Sequence, residues 1–160
     1  MSRGNKIIVV ILSILFLTGI GFLLFNFFGR NIIPFNKPTA IINSNKIELI
    51  IAKSQKEKEV GLSSYKNLPN NQGMIFSFGR PDYYSFWMKS MKFSIDIIYL
   101  NNKKVVTIFE NVKAPLNNQV SLQIYKPSAP ADTVLEINAG LSKKYNLKIG
   151  DKITYENFGG

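Results

Sequence analysis

The chain has 160 residues, with no Cys, no His, and 20 Lys and Arg against 10 Asp and Glu. Disulfides, a Ser-His-Asp triad, a Cys nucleophile and ordinary zinc ligation are thereby excluded. The length suits one domain, and the net charge of +10 fits either an anionic neighbour or a composition rich in Lys, Asn and Ile together.

The first element is apolar. Ile7 to Phe28 is a run of 22 residues without a charge, 17 of them strongly apolar. As a helix it would be about 33 Å long, which matches a hydrocarbon core of roughly 30 Å. Insertion is favoured by roughly 5 to 10 kcal/mol. A cleaved signal peptide has an apolar region of about 7 to 15 residues ending at small residues. Phe27-Phe28-Gly29-Arg30 offers no such site, so the run reads as an uncleaved signal anchor. Arg3 and Lys6 make residues 1–6 a cytoplasmic tail and send the remainder across the membrane. Residues 29–39, with Pro34 and Pro38, read as a linker, and residues 40–160 as an extracytoplasmic domain. From residue 31 onward there are 17 basic and 10 acidic residues, a net +7. The lysines are scattered and form no block of the kind that marks an interaction tail.

Asn45 to Lys53 sets Ile47, Leu49 and Ile51 against Glu48, Ile50 and Ala52, a strand with one fully apolar face. Ser54-Gln55-Lys56-Glu57 is a capping box opening a short helix over about 55–63, with Gly61 near its end. Leu68 to Gly73 is turn chemistry, Met74 to Phe78 a short strand, and Gly79 to Tyr84 a loop exposing Arg80, Asp82, Tyr83 and Tyr84. In Phe86 to Lys89, alternation sets Trp87 and Lys89 on one face and Phe86 and Met88 on the other. Ile95 to Leu100 is apolar on both faces, so it should be central and buried, with Asp96 carried inside.

Asn101-Asn102 reads as a two-residue hairpin turn. That register sets Leu100 opposite Lys103, Ile98 opposite Val105 and Asp96 opposite Thr107. One hydroxyl does not satisfy a buried carboxylate, so Lys89, Arg80 or backbone amides are expected around Asp96. Asn111 to Ala131, with Pro115, Pro127 and Pro130, reads as a long loop containing a strand-like piece, Val120 to Tyr125. Thr133 to Ala139 alternates around Glu136, Gly140 opens a short helix to about Asn146, and Lys152 to Asn157 is a last strand. Gly73, Gly140 and Gly150 read as turn positions. Six to eight short strands and two short helices imply a mainly β (α+β) fold, a small antiparallel sheet curled into a barrel or sandwich, preceded by one transmembrane helix.

GLSSYKNLPNNQGMIFSF, SFWMKSMKFSIDIIYL and VLEINAG with a following GD resemble the bacterial and archaeal family of uncharacterised domains called DUF192. The resemblance spans about residues 46–157. The matching positions are Gly61, Leu62, Gly73, Met74, Phe76, Phe86, Trp87, Met88, Lys89, Asp96, Glu136, Gly140, Gly150 and Asp151. The chain departs from the family pattern at Ser63, at Ser90-Met91 and at Ser94-Ile95. The resemblance implies a compact β-rich fold with short helices and no established activity.

The candidate site residues are Trp87, Lys89, Asp96, Arg80 and Tyr84 for a ligand, with Tyr83 as an alternative to Tyr84. Asp96 and Glu136 are the candidate catalytic pair. Three readings stand side by side. Trp87 could be core, with Asp96 paired to Lys89 or Arg80 to fix strand register and Glu136 solvated at a strand edge or bonded to amides. The aromatic and basic residues could hold a ligand. Two carboxylates within about 10 Å could cleave a glycan. The expectation is a membrane-anchored binding or accessory module at the cell envelope, with a carboxylate-dependent glycan hydrolase as the alternative. Expected partners are membrane lipid through residues 7–28 and an anionic envelope polymer or small molecule. No cofactor, metal, nucleic acid or oligomer is indicated.

Overall fold

A computed structural model describes residues 36–116 and 123–159. The expected cytoplasmic tail, the anchor at 7–28 and most of the linker lie outside the described residues, as does the first part of the strand-like piece at 120–125. No helix among the described residues is long and apolar enough to cross a membrane.

The chain from Lys37 onward forms one compact unit. Its described strands are β1 (Thr39–Ile42), β2 (Asn45–Ala52), β3 (Gln72–Asp82), β4 (Phe86–Trp87), β5 (Ile95–Asn101), β6 (Lys104–Val112), β7 (Ile124–Tyr125), β8 (Ala131–Asn138) and β9 (Thr154–Glu156). Two short helices are α1 (Gln55–Val60), which runs into a 3-10 turn at Gly61–Ser64, and α2 (Leu141–Lys144). Seven strands form one sheet in the order β6-β5-β8-β3-β2-β1-β9, and β4 pairs with β7 in a separate ribbon.

The expected antiparallel barrel or sandwich is corrected in two respects. The sheet is mixed, because β2 and β3 run parallel. Parallel neighbours need a crossover of a dozen or more residues, and α1 with its flanking turns provides it. The sheet also stays open. Among the described residues its far edges meet at the bridge of Lys104 with Lys152 and the flanking bonds of Val105 to Asp151, Gly150 to Val105 and Ile153 to Lys103.

The capping box forms as the sequence implies. Ser54 Oγ accepts from the Glu57 amide, and Glu57 returns a bond to the Ser54 amide at 2.7 Å. The hairpin turn is shifted by one residue from the expected one, which moves the partner of Leu100 by two. Asn102 and Lys103, at φ 50° and 66°, are the turn residues, and Leu100 pairs with Val105 while Thr107 pairs with Tyr99. The expected register would set Lys103 beside Leu100 on the core face; the observed one keeps both lysines outside and sets Val105 there. β3 also continues through the expected loop. Gly79 takes φ +74°, absorbs an irregularity between Ser77 and Asp82, and lets pairing with β8 resume at Ala131. Gly73 lies inside β3 rather than in a turn: a Cβ there would sit 2.9 Å from the Glu136 carbonyl oxygen. Gly140 and Gly150 do adopt left-handed φ, at 84° and 97°.

The sheet is covered on both faces. One face buries Ile47, Ile75, Ile98, Leu100, Leu135 and Ile137 with Leu141 and Ile153. The other buries Phe76, Ile97, Tyr99 and Val134 with Leu62, Met88 and Met91. β5 is buried at all six positions from Ile95 to Leu100, as its doubly apolar pattern implies.

Candidate functional site

Asp96 is fully buried. Its Oδ1 accepts from the amides of Asn111 at 2.8 Å and Gly140 at 3.0 Å, and its Oδ2 accepts from the Ser142 amide at 2.8 Å. Gly140 is the N-cap of α2 and has no side chain to cap with. Asp96, reaching over from β5, takes that part. Asn111 turns its amide inward by adopting φ 53° at the bulge in β6. Of the expected partners, backbone amides are therefore the ones present. Thr107 bonds Ser128 instead, accepting from its amide at 2.9 Å.

Glu136 faces the other way. Asp96 on β5 pairs with Ile137 of β8, whereas Glu136, the preceding β8 residue, pairs with Ile97 and Met74, so the two acids lie on opposite faces of the sheet. Glu136 is only 6% exposed, not solvated at an edge, because β8 lies between β5 and β3. Burial pushes its carboxyl up to about 8. Among the described residues no group donates a hydrogen bond to it. The nearby Tyr99 phenol is shifted upward by burial and then by the charge of Glu136, and its hydroxyl donates to the Tyr125 carbonyl at 2.8 Å.

Glu136 lines a cavity of about 240 Å³ between the sheet, α1 and the segment around β4. Phe76, Phe86 and Met91 surround it, Phe78 and Tyr84 form a wall, and Trp87, Lys89 and Lys58 also line it. Phe78 and Tyr84 are stacked at 3.8 Å between centroids, and Phe76 meets Phe86 edge-on at 5.1 Å. Trp87 is 56% exposed and so is not core; Met88, its neighbour, is the buried one. The Lys89 ammonium lies 5.7 Å from the centre of the Trp87 ring. The Lys58 ammonium lies 4.9 Å from the Phe78 ring and donates to the Ser77 carbonyl.

Four of the residues singled out in the sequence thus come together: Trp87, Lys89, Tyr84 and Glu136. Asp96 does not join them. Arg80 is exposed outside the cavity and contributes its carbonyl, which accepts from the Tyr84 hydroxyl at 3.1 Å. Tyr83 is half exposed and also lies outside. Neither Lys89 nor Arg80 pairs with Asp96. Lys58 and Phe78 had no sequence signal beyond lying on a short charged helix and in an apolar strand. No cluster of three or more His, Cys, Asp or Glu among the described residues could hold a metal ion.

An open mixed sheet bearing an aromatic cavity with a carboxyl inside defines a small β-rich domain with a candidate ligand site. The chain belongs to the DUF192 family (Uncharacterized ACR), which it matches over residues 39–155. Two solved structures are similar. A protein of unknown function from Novosphingobium aromaticivorans DSM 12444 shares 28% identity at a TM-score of 0.63, covering 73% of this chain and 82% of that one. A candidate transcription regulator from Sinorhizobium meliloti 1021 shares 24% identity at a TM-score of 0.62, covering 74% of this chain and 91% of that one, a likeness of fold. No curated protein matches the chain.

Proposed function

We propose that this domain is a small-ligand binding or accessory module, held at the membrane by residues 7–28 and working on the extracytoplasmic side. The observation that carries the reading is the convergence of Trp87, Tyr84, Lys89 and the buried Glu136 on one aromatic cavity. An exposed Trp and a half-buried Tyr ring give flat contact area at low entropic cost, and a partly open cavity with a few polar groups is the usual form of a ligand site. The anchor rests on the length and uninterrupted apolarity of Ile7 to Phe28. Two-carboxylate glycan cleavage has less support, because Asp96 and Glu136 project from opposite faces of the sheet and Asp96 is occupied by three amides.

The test is a thermal-shift screen of the full-length chain against wall fragments, sugars, anionic lipids and small amino acids. A ligand at a hundredfold excess over its Kd adds about 2.7 kcal/mol, a rise of several degrees. Trp87→Ala, a change at an exposed position, is expected to abolish that rise while leaving the unliganded melting temperature within about a degree. If no compound shifts the protein, or if Trp87→Ala leaves every shift intact, the cavity is not the binding site. The membrane assignment is checked separately: the full-length chain should remain with membranes after an alkaline wash, and its recovery in the aqueous fraction would overturn the anchor.

A further inference from the structure

The cavity is chemically lopsided. Glu136, a residue only 6% exposed, lines it and receives no hydrogen bond from a described residue. Phe76, Phe86, Leu62 and Met91 line the same cavity and have no side-chain donor to offer, and the hydroxyls of Ser63 and Tyr84 that also line it are turned to the Val60 and Arg80 carbonyls. The two ammonium groups that line the cavity, Lys58 and Lys89, are spread over the rings of Phe78 and Trp87. Among the described residues neither is in a salt bridge, since the ion pairs found there are Lys37 with Glu48 and Lys46 with Glu156. A buried acid without a protein donor among aromatic rings, and two lysines free of salt bridges beside it, ask for a ligand with the complementary polarity; Glu59, the other carboxylate of the lining, already accepts from Gln55.

We propose that the cavity binds a small zwitterion, its primary ammonium seated on Glu136 among the aromatic rings and its acidic group held by Lys58 and Lys89. This rests on the reading of the cavity as a binding site. An ammonium supplies the donors that Glu136 lacks, and ring faces attract it as well. A ligand bearing only a negative charge would leave Glu136 without a partner, and one bearing only a positive charge would leave Lys58 and Lys89 without one. At about 240 Å³ the cavity is smaller than the ~300–1,000 Å³ of drug-sized sites, which limits the ligand to roughly amino-acid size.

Binding carries a proton signature. Free Glu136 holds its proton up to about pH 8, so seating an ammonium breaks the carboxyl O–H and releases that proton to the buffer. The titratable groups sharing its surroundings are Tyr99 on β5, Lys58 and Glu59 on α1, and Tyr84 and Lys89 around β4. Glu136 is the group whose burial puts its titration in the neutral range. Affinity is therefore expected to rise by about tenfold per pH unit between pH 6 and 7.

The experiment titrates the full-length chain with 4-aminobutanoate and 6-aminohexanoate, with butanoate and butylamine as one-ended controls, at pH 6, 7 and 8. Wild type, Glu136→Gln and Trp87→Ala are compared by chemical-shift perturbation. The amino acids are expected to bind more tightly than either control. Glu136→Gln should weaken them about tenfold or more and remove the rise with pH, while leaving the affinity for butanoate unchanged. Equal binding by butanoate and the amino acids, or an unchanged pH profile in Glu136→Gln, would overturn the inference. If the amino acids fail but a sugar or wall fragment binds wild type and not Trp87→Ala, the amine assignment falls and the binding site stands. If no probe of any class responds to either substitution, both fall.

Discussion

Replacing Asp96 by Asn keeps the side chain's size but turns one oxygen into a donor. Oδ1 could still accept from Asn111 and Gly140, and the new NH2 would then point at the Ser142 amide. A buried donor facing a donor costs about 1–3 kcal/mol, and Asp96→Ala, which strands three amides, costs more. Urea midpoints should fall in that order. Glu136 behaves oppositely. Its folded carboxyl is held near 8 against an ordinary 4.5, so the native state binds a proton that the unfolded state releases. Stability contributed by that proton is full below pH 4.5 and is lost as pH rises to about 8, at about 1.4 kcal/mol per pH unit. Glu136→Gln should flatten the slope between pH 5 and 8. Glu48 and Glu57, lowered by the Lys37 and Ser54 hydrogen bonds respectively, act below this window. The burial of Asp96 was legible because Ile95 to Leu100 is apolar on both faces. Its partners were not, since they are backbone amides, and any residue has one. Alternation paired Trp87 with Lys89 but did not say which face met water; the packing of Met88 decides that.

At the level of elements, local chemistry was the readable part. The box Ser54 to Glu57 announced α1, and Gly140 announced α2. The β5–β6 turn was displaced by one residue because the signal used, Asn101-Asn102, ignored what each register does to Lys103. The structure accepts a left-handed lysine at φ 66° to keep the charge out of the core. Lys103→Gly should relieve that strain and raise stability by about 0.5–1 kcal/mol, read as a higher melting temperature. A fall would mean that the contact of Lys103 with the Tyr155 ring, 6.0 Å from its centre, outweighs the backbone term. The parallel pairing of β2 and β3 had no signature of its own, because half-buried strands alternate alike in either direction.

Taken whole, the molecule shows why strand counting did not settle its architecture. Alternating strands and two short helices fit a barrel, a sandwich or an open sheet equally well; the choice lies in which edges pair, and that depends on contacts far apart in the chain. The aromatic cavity was half legible for the same reason. Phe78, Tyr84, Trp87 and Lys89 are close in sequence, while Glu136 reaches the site through the sheet order and Lys58 through the packing of α1.

β9 pairs with β1, Thr39 lying opposite Glu156, so the first of the described strands to be made waits for the last of them. Until Thr154 to Glu156 is synthesised, β1 presents unpaired amides and carbonyls along one side, the kind of bare border through which separate chains stick together. A chain ending at Ile153 is expected to keep most of its core and yet elute as oligomers in size-exclusion chromatography. Three residues near the tail would then act as the selvedge of the fabric, adding little to its strength and preventing it from being stitched to its neighbours.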